Sequence, residues 1–437
     1  MVTSSRSLAH SACLIAGALA LGGAAVALSA CSDDPTPHDA GAGTGTTGGS
    51  AAGTAAGGTT EGGGMVSGGS STGGSVAGGG SAGSTTAGGS SGNGGGAGVG
   101  GSAGAGGMLP EVSSEGDGDI MVGPTYTKDP NLTDLKNPKG KRFTFTMKSS
   151  DSAIFKGMDA TLSKPWTGGK TVFNRGITVY VPAQYKDGTE APILVIQDGG
   201  GPIDGISRAL DNLTISDDPL KKLPPFVAIA VQNGSDRDGS DGQGSERGLE
   251  YDTMSDRYST FIDTEVLPAV IADPTVHAAY PGLKFTKDPQ GRGAFGCSSG
   301  GAAALSMGWF APNLWRRIIT YSGTFVDQQN HSQTAEVALF PYGAWEYHSD
   351  KELIKNTDNK PLRIFINANE NDNGATAAES GHHNWVMANE RTAAALKAKA
   401  YHYQYVFAKG LGHCAGQVQD QTIATALSWA WRGYVPN

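Results

Sequence analysis

Basic side chains are scarce in this sequence. The 437 residues carry 32 Lys and Arg against 41 Asp and Glu, a formal net charge of −9, and nowhere do the cations gather into a patch. Nucleic-acid recognition needs such a patch, so that class of partner is excluded. Long apolar runs are also lacking. The stretch Leu14 to Leu28 is interrupted by glycines and is short for a membrane span, which points to a cleaved export signal. Cysteine is limited to four residues, of which only Cys297 and Cys414 lie beyond the N-terminal third. Glycine is plentiful, at 67 residues, but follows no period of three, which excludes a collagen-like chain.

Nearly half of the glycines fall between residues 41 and 107, among Ser, Ala and Thr, with Glu61 as the only charge. Such a segment holds too little apolar surface to offset the entropy of ordering, and reads as a disordered tether. A Gly-rich coil of that length spans about 45 Å end to end. Ahead of it, Arg6 precedes the apolar run, which ends in Leu28-Ser29-Ala30-Cys31. That ending resembles the lipobox of bacterial lipoproteins. The resemblance implies lipidation of Cys31 and, with Ser32 next in place of Asp, an outer-membrane address. An ordinary signal cleavage would instead leave Cys31 as a stray thiol, but a tether makes sense only for something anchored. The expected layout is a lipoprotein signal peptide over 1–30, a tether over 31–107 and a globular domain over 108–437. Residues 108–171 of that domain form an N-terminal extension expected to add one or two antiparallel strands.

The globular part alternates two kinds of segment. Short apolar, β-branched runs predict strands at 142–148, 177–182, 193–197, 226–231, 293–296, 317–321, 362–368 and 403–408. Helical periodicity predicts helices at 255–271, 302–310, 385–399 and 422–431. Strands alternating with helices predict an α/β domain with a mainly parallel sheet covered on both faces.

Gly296-Cys297-Ser298-Ser299-Gly300 fits G-x-S-x-G, in which a serine sits on a strained turn between strand and helix and its neighbours two away must be small. The apolar pair Ala294-Phe295 precedes the turn and an Ala-rich helix follows, as that context requires. Gly291, Gly293 and Gly296 also spell G-x-G-x-x-G, a dinucleotide fingerprint. That motif should follow a strand and open a helix, whereas here it leads into a strand, so it is rejected.

A serine nucleophile on such a turn needs a base and an acid later in the chain. Among the later histidines only His413 stands in a loop after a late strand, in Gly410-Leu411-Gly412-His413. The acid should end the preceding strand, where Asp372 is preferred and Glu370 competes. Its task is to orient the imidazole and stabilise its cation. An oxyanion hole needs two backbone N–H groups, one from the residue after the nucleophile, Ser299. The second is expected from Gly199 or Gly200, in the glycine run after the 193–197 strand. Cys297 directly precedes the nucleophile and Cys414 directly follows the base. If serine and histidine touch, these cysteines are close enough to bond, so a Cys297–Cys414 disulfide is expected over two buried thiols.

Residues Asp117 to Tyr434 resemble the enterochelin-esterase-like branch of the α/β-hydrolases. The likeness rests on Ile196-Gln197-Asp198-Gly199, Arg247 to Asp252, Gly296 to Gly301 and Asn371-Asp372. Separately, Cys297-Ser298, Asp372 and His413-Cys414 are similar to the CS-D-HC motif of tannases and feruloyl esterases, whose two cysteines are disulfide-bonded across the active site. The large lid domain of those enzymes is missing here. The resemblance implies an α/β-hydrolase fold and ester cleavage without a metal or organic cofactor. The implied substrate is an ester outside the cytoplasm: an acylated sugar, a phenolic ester or a siderophore-type lactone. The rival class is a surface-tethered binding protein that keeps the elbow without turnover.

Other polar features read as structural. Arg247, Glu250 and Asp252 are expected to pair with one another more than to line a pocket. The loop Asp236 to Asp241 resembles a calcium loop, but its spacing fails the EF-hand pattern and it reads as solvated. His382-His383 lacks ligands at metal spacing and reads as surface histidines. Trp385 fits either an acyl-pocket wall or a buried helix start.

Overall fold

The structure is a computed structural model that describes residues 115–157, 172–234, 246–328 and 338–436. The signal peptide, Cys31, the tether and the Asp236 to Asp241 loop lie outside the described residues.

Among the described residues, nine strands form one sheet in the order β1-β11-β10-β9-β8-β5-β6-β3-β2. They are β1 (Gly118–Val122), β2 (Lys141–Lys148), β3 (Asn174–Val181), β5 (Ile193–Ile196), β6 (Val227–Val231), β8 (Arg292–Cys297), β9 (Arg317–Tyr321), β10 (Arg363–Asn371) and β11 (His402–Gly412). A separate pair joins β4 (Glu190–Ala191) to β7 (Lys284–Phe285). Only the β2–β3 and β3–β6 pairings of the large sheet are antiparallel. The central strands have sequences such as ILVI and VAIAV, buried at every position. Continuous apolar runs are what a strand covered on both faces requires. At the edge, KRFTFTMK in β2 alternates exposed and half-buried positions, which suits a strand covered on one face.

The alternation of side chains divides the core in two. Ile193 and Val195 of β5 join one apolar cluster with Phe261, Val266 and Trp315. Leu194 and Ile196 point the other way, into a cluster with Leu210, Phe226 and Leu427. The first layer includes the helical run Arg257–Phe261, a π-turn over Ile262–Val266 and Leu267–Ala272. The second includes the helices Ile203–Leu213 and Gly416–Ala430. Each fully buried Leu, Ile, Val or Phe contributes about 1.5–3 kcal/mol, so the two layers rather than the surface hold the sheet.

The α/β-hydrolase fold expected from the sequence is therefore present, with a mainly parallel sheet flanked by helices. One element was not expected: the helix Ile203–Leu213, which begins directly after Gly201-Pro202. The extension adds one antiparallel strand, β2 against β3, within the one or two expected, while β1 runs parallel to β11 at the opposite edge. No helix among the described residues is long and apolar enough to cross a membrane.

Candidate active site

Ser298 stands at the C-terminal end of β8, where the chain turns into the helix Ser299–Phe310. Its backbone has φ 58° and ψ −132°, a conformation that costs free energy in any L-residue and persists only when the surroundings impose it. Sterics impose it here. A Cβ on Gly296 would lie 2.1 Å from the Gly300 carbonyl oxygen, and one on Gly300 would lie 2.7 Å from Asp198 Oδ2. Only glycine fits at 296, where the neighbour is backbone, and a side chain at 300 would have to displace the Asp198 carboxylate. The glycines of the rejected fingerprint serve packing instead, since a Cβ on Gly293 would lie 2.6 Å from the Trp431 ring.

His413 follows β11 directly, and its Nδ1 lies 2.5 Å from Asp372 Oδ1. Facing a carboxylate, that nitrogen carries the proton and donates, which leaves Nε2 as the basic position. Asp372 is buried and also accepts the backbone N–H of Asn373 at 2.8 Å. Glu370 is elsewhere. The pairing of β10 with β11 shifts register between Asn369 and Asn371. The exposed Glu370 carboxylate beside that irregularity accepts the Gly410 N–H at 2.8 Å.

The two loops are joined covalently. Cys297 and Cys414 form a disulfide with Cα atoms 6.0 Å apart, across a sequence separation of 117. Polar contacts pin the histidine on both sides as well. Asn369 Nδ2 donates to the Gly412 carbonyl at 2.6 Å and to Ser322 Oγ at 3.2 Å, while the Cys414 N–H donates to the same Ser322 Oγ at 3.1 Å.

The glycine run after β5 corrects one expectation. The Gly199 N–H donates to the Val231 carbonyl at 3.1 Å, so it is committed to the backbone and is not offered to a substrate. The Asp198 N–H is likewise taken, by Tyr251 Oη at 3.0 Å. Gly200 remains, with open space where a Cβ would stand. Ser299, the other expected donor, is fully buried at the first position of its helix.

Arg247 and Glu250 do not pair with each other. Arg247 grips Asp198 with two bonds, Nε to Oδ1 at 2.7 Å and Nη2 to Oδ2 at 3.0 Å, which ties the helix Glu246–Tyr251 to the glycine loop. Glu250 instead forms a buried pair with Arg175 of β3, Nη1 to Oε2 at 2.8 Å. His382 is half-buried, not a free surface group: its ring stacks on Trp345 with centroids 4.9 Å apart. His383 is exposed.

Two buried residues carried no motif in the sequence. Thr324, in the loop after β9, places Oγ1 3.3 Å from Ser298 Oγ. His348 lies behind that loop, its Nε2 2.9 Å from the Phe325 carbonyl, and burial pushes its pKa down to about 4. Trp385, left open by its sequence, is buried with its ring edge-on to His413, centroids 6.0 Å apart.

Comparisons with known proteins place the chain in a family. No curated protein matches the chain. Among solved structures, a ferulic acid esterase is 16% identical, with 68% of this chain and 100% of that chain covered at a TM-score of 0.44. The enterobactin esterase of Shigella flexneri, solved in the presence of 2,3-dihydroxy-N-benzoyl-glycine, is 17% identical at a TM-score of 0.41. There 68% of this chain is covered but only 61% of the other, so the chain spans less than two thirds of that relative. Residues 171–417, more than half of the sequence, match the Esterase family model. The chain thus belongs to the esterase family and is an ester hydrolase on an α/β-hydrolase fold.

Proposed function

We propose that the chain is a serine esterase acting outside the cytoplasm, with Ser298 as nucleophile, His413 as general base and Asp372 as the orienting acid. Ser298 Oγ attacks the ester carbonyl while His413 Nε2 takes its proton, forming a tetrahedral oxyanion. The N–H groups of Ser299 and Gly200 stabilise that oxyanion, a contribution of about 2.7–4 kcal/mol for a single donor in comparable sites. His413 returns the proton to the departing alcohol, then activates water to release the acyl enzyme. Asp372 stays ionised throughout and stabilises the imidazolium.

The observation that carries this reading is the 2.5 Å contact between His413 Nδ1 and a buried carboxylate, with the disulfide tying that loop to the strained serine. The substrate class is an acylated sugar, phenolic ester or siderophore-type lactone. Cys31 is the lipid-bearing residue, the segment 31–107 is a tether, and the enzyme is held at the cell envelope, in the outer membrane.

The test is the full chain exported into an oxidising compartment and assayed on short-chain and phenolic aryl esters, with Ser298→Ala as control. Turnover abolished in the variant is expected. A folded protein with no turnover and no labelling by a fluorophosphonate would replace this reading with a tethered binding protein. For the anchor, Cys31→Ala should move the protein from the membrane to the soluble fraction; an unchanged distribution would remove the lipid.

A further inference from the structure

A second buried hydroxyl faces the Ser298 side chain. Thr324 Oγ1 lies 3.3 Å from Ser298 Oγ and also accepts the indole N–H of Trp385 at 3.2 Å. Thr324 is 1% exposed and Trp385 5% exposed, so water does not compete for these bonds. The backbone holds the group in place. The Thr324 N–H donates to the Ser298 carbonyl at 3.1 Å, and Asn389 Nδ2 donates to the Gly323 carbonyl at 2.8 Å. The Trp385 N–H donates to the Asn373 carbonyl at 3.1 Å, next to Asp372.

The direction of the bonds follows from chemistry. An indole N–H can only donate, so Thr324 Oγ1 accepts from it. The threonine proton then needs an acceptor, and besides the indole the Thr324 side chain meets only Ser298 Oγ among the described residues. Were Ser298 the donor, the threonine proton would be buried with nothing to accept it, at the full desolvation penalty of an unmade bond. Were Thr324 the donor, the indole and threonine protons are both satisfied, and the Ser298 proton, on a residue 8% exposed, is left for the base.

We propose that Trp385 and Thr324 form a donor chain, indole N–H to Thr324 Oγ1 and Thr324 O–H to Ser298 Oγ, that fills one lone pair of the nucleophile and turns its proton toward the base. The inference rests on Ser298 being the nucleophile. Both are positioning residues, since they act through Ser298 and not on the substrate. At 3.3 Å the last bond is long for a hydroxyl pair, so it orients the serine while withdrawing little of its electron density.

The test compares full-length wild type with Thr324→Val, Thr324→Ser, Trp385→Phe and the Thr324→Val/Trp385→Phe double variant. Aryl-ester turnover and the rate of fluorophosphonate labelling are read for each. Thr324→Val should lower kcat about tenfold with KM changed less than about twofold, and Thr324→Ser should recover most of the loss. Trp385→Phe should lower kcat less, and the double variant should be no slower than Thr324→Val, because a chain cut at its last link gains nothing from its first. A Thr324→Val enzyme at the wild-type rate, a Thr324→Ser enzyme as slow as Thr324→Val, or additive losses in the double would each overturn the proposal. Should Thr324→Val not fold, Trp385→Phe at the wild-type kcat would overturn it alone. Wild type that is never labelled refutes the nucleophile itself; wild type labelled at Ser298 beside an unaffected Thr324→Val refutes only the donor chain.

Discussion

Asp372 Oδ1 and His413 Nδ1 meet at 2.5 Å although they stand 41 residues apart and follow different strands. Parallel pairing of β10 with β11 brings the ends of those strands side by side, and the carboxylate is buried where the imidazole turns back. Asp372→Asn should therefore lower kcat by roughly 10⁴-fold, the loss expected when the imidazole is held in the wrong tautomer. Glu370→Gln should leave kcat within a few-fold, because that carboxylate faces Gly410. Steady-state kinetics of the two variants check this, and the reverse ranking would reassign the acid.

The disulfide has a consequence for stability. In the chain-entropy model, closing a loop across a separation of 117 residues contributes about 5 kcal/mol. Urea unfolding of the double variant Cys297→Ser/Cys414→Ser, beside the oxidised wild type, should show a clearly lower midpoint. Activity should fall too, since the clamp flanks both Ser298 and His413. Equal midpoints would show that the bond contributes nothing beyond local geometry.

Arg175 and Glu250 form a charge pair in which both side chains are almost wholly buried. Glu250 also accepts the Gly234 N–H at 3.2 Å. Removing one partner strands the other charge, so Glu250→Gln or Arg175→Met should each cost about 3–5 kcal/mol. The Arg175→Met/Glu250→Leu double variant should cost less than the sum of the singles. Denaturant titrations around this cycle decide it, and strict additivity would mean the pair is not coupled.

His348 makes stability depend on pH. Burial is the largest cause of its lowered pKa, with Arg391 acting in the same direction and the Phe325 carbonyl opposing it. A histidine near 6.5 when unfolded and about 4 when folded binds more protons in the unfolded state between those values. Its contribution is thus complete above pH 6.5 and is lost as pH falls from there to about 4, on the order of 3 kcal/mol. The slope of unfolding free energy between pH 7 and 4.5 should flatten in His348→Gln. An unchanged slope would mean that the imidazole charges freely in the folded protein.

The sequence was legible wherever chemistry is local. Continuous apolar runs such as ILVI and VAIAV mark doubly covered strands because each residue must suit its own surroundings. The spacing of Gly296, Ser298 and Gly300 marks the elbow because one turn of backbone makes those residues collide with one another. His413 stood out by its place after the last strand. Cys297 and Cys414 could be paired because each adjoins a residue already singled out.

What the sequence could not decide depends on groups meeting across strands. The sequence favours Asp372 over Glu370 only by its place before the turn, and the register shift between β10 and β11 sets their carboxylates apart. Gly199 and Gly200 are adjacent glycines, yet only the former has its N–H taken by Val231 of the neighbouring strand. Arg247 and Glu250 lie on one short helix but pair with Asp198, just after β5, and Arg175, on β3. Thr324 and Trp385 belong to no motif and gain meaning only because Thr324 lies against Ser298 and Trp385 against Thr324. By itself the sequence determined the fold class, the strained serine and the cysteine pair, because these follow from periodicity and short-range sterics. Only the tertiary structure decided which groups meet, such as His413 with Asp372 and Ser298 with Thr324, because hydrogen bonds form between atoms about 3 Å apart in space, whatever their separation along the chain.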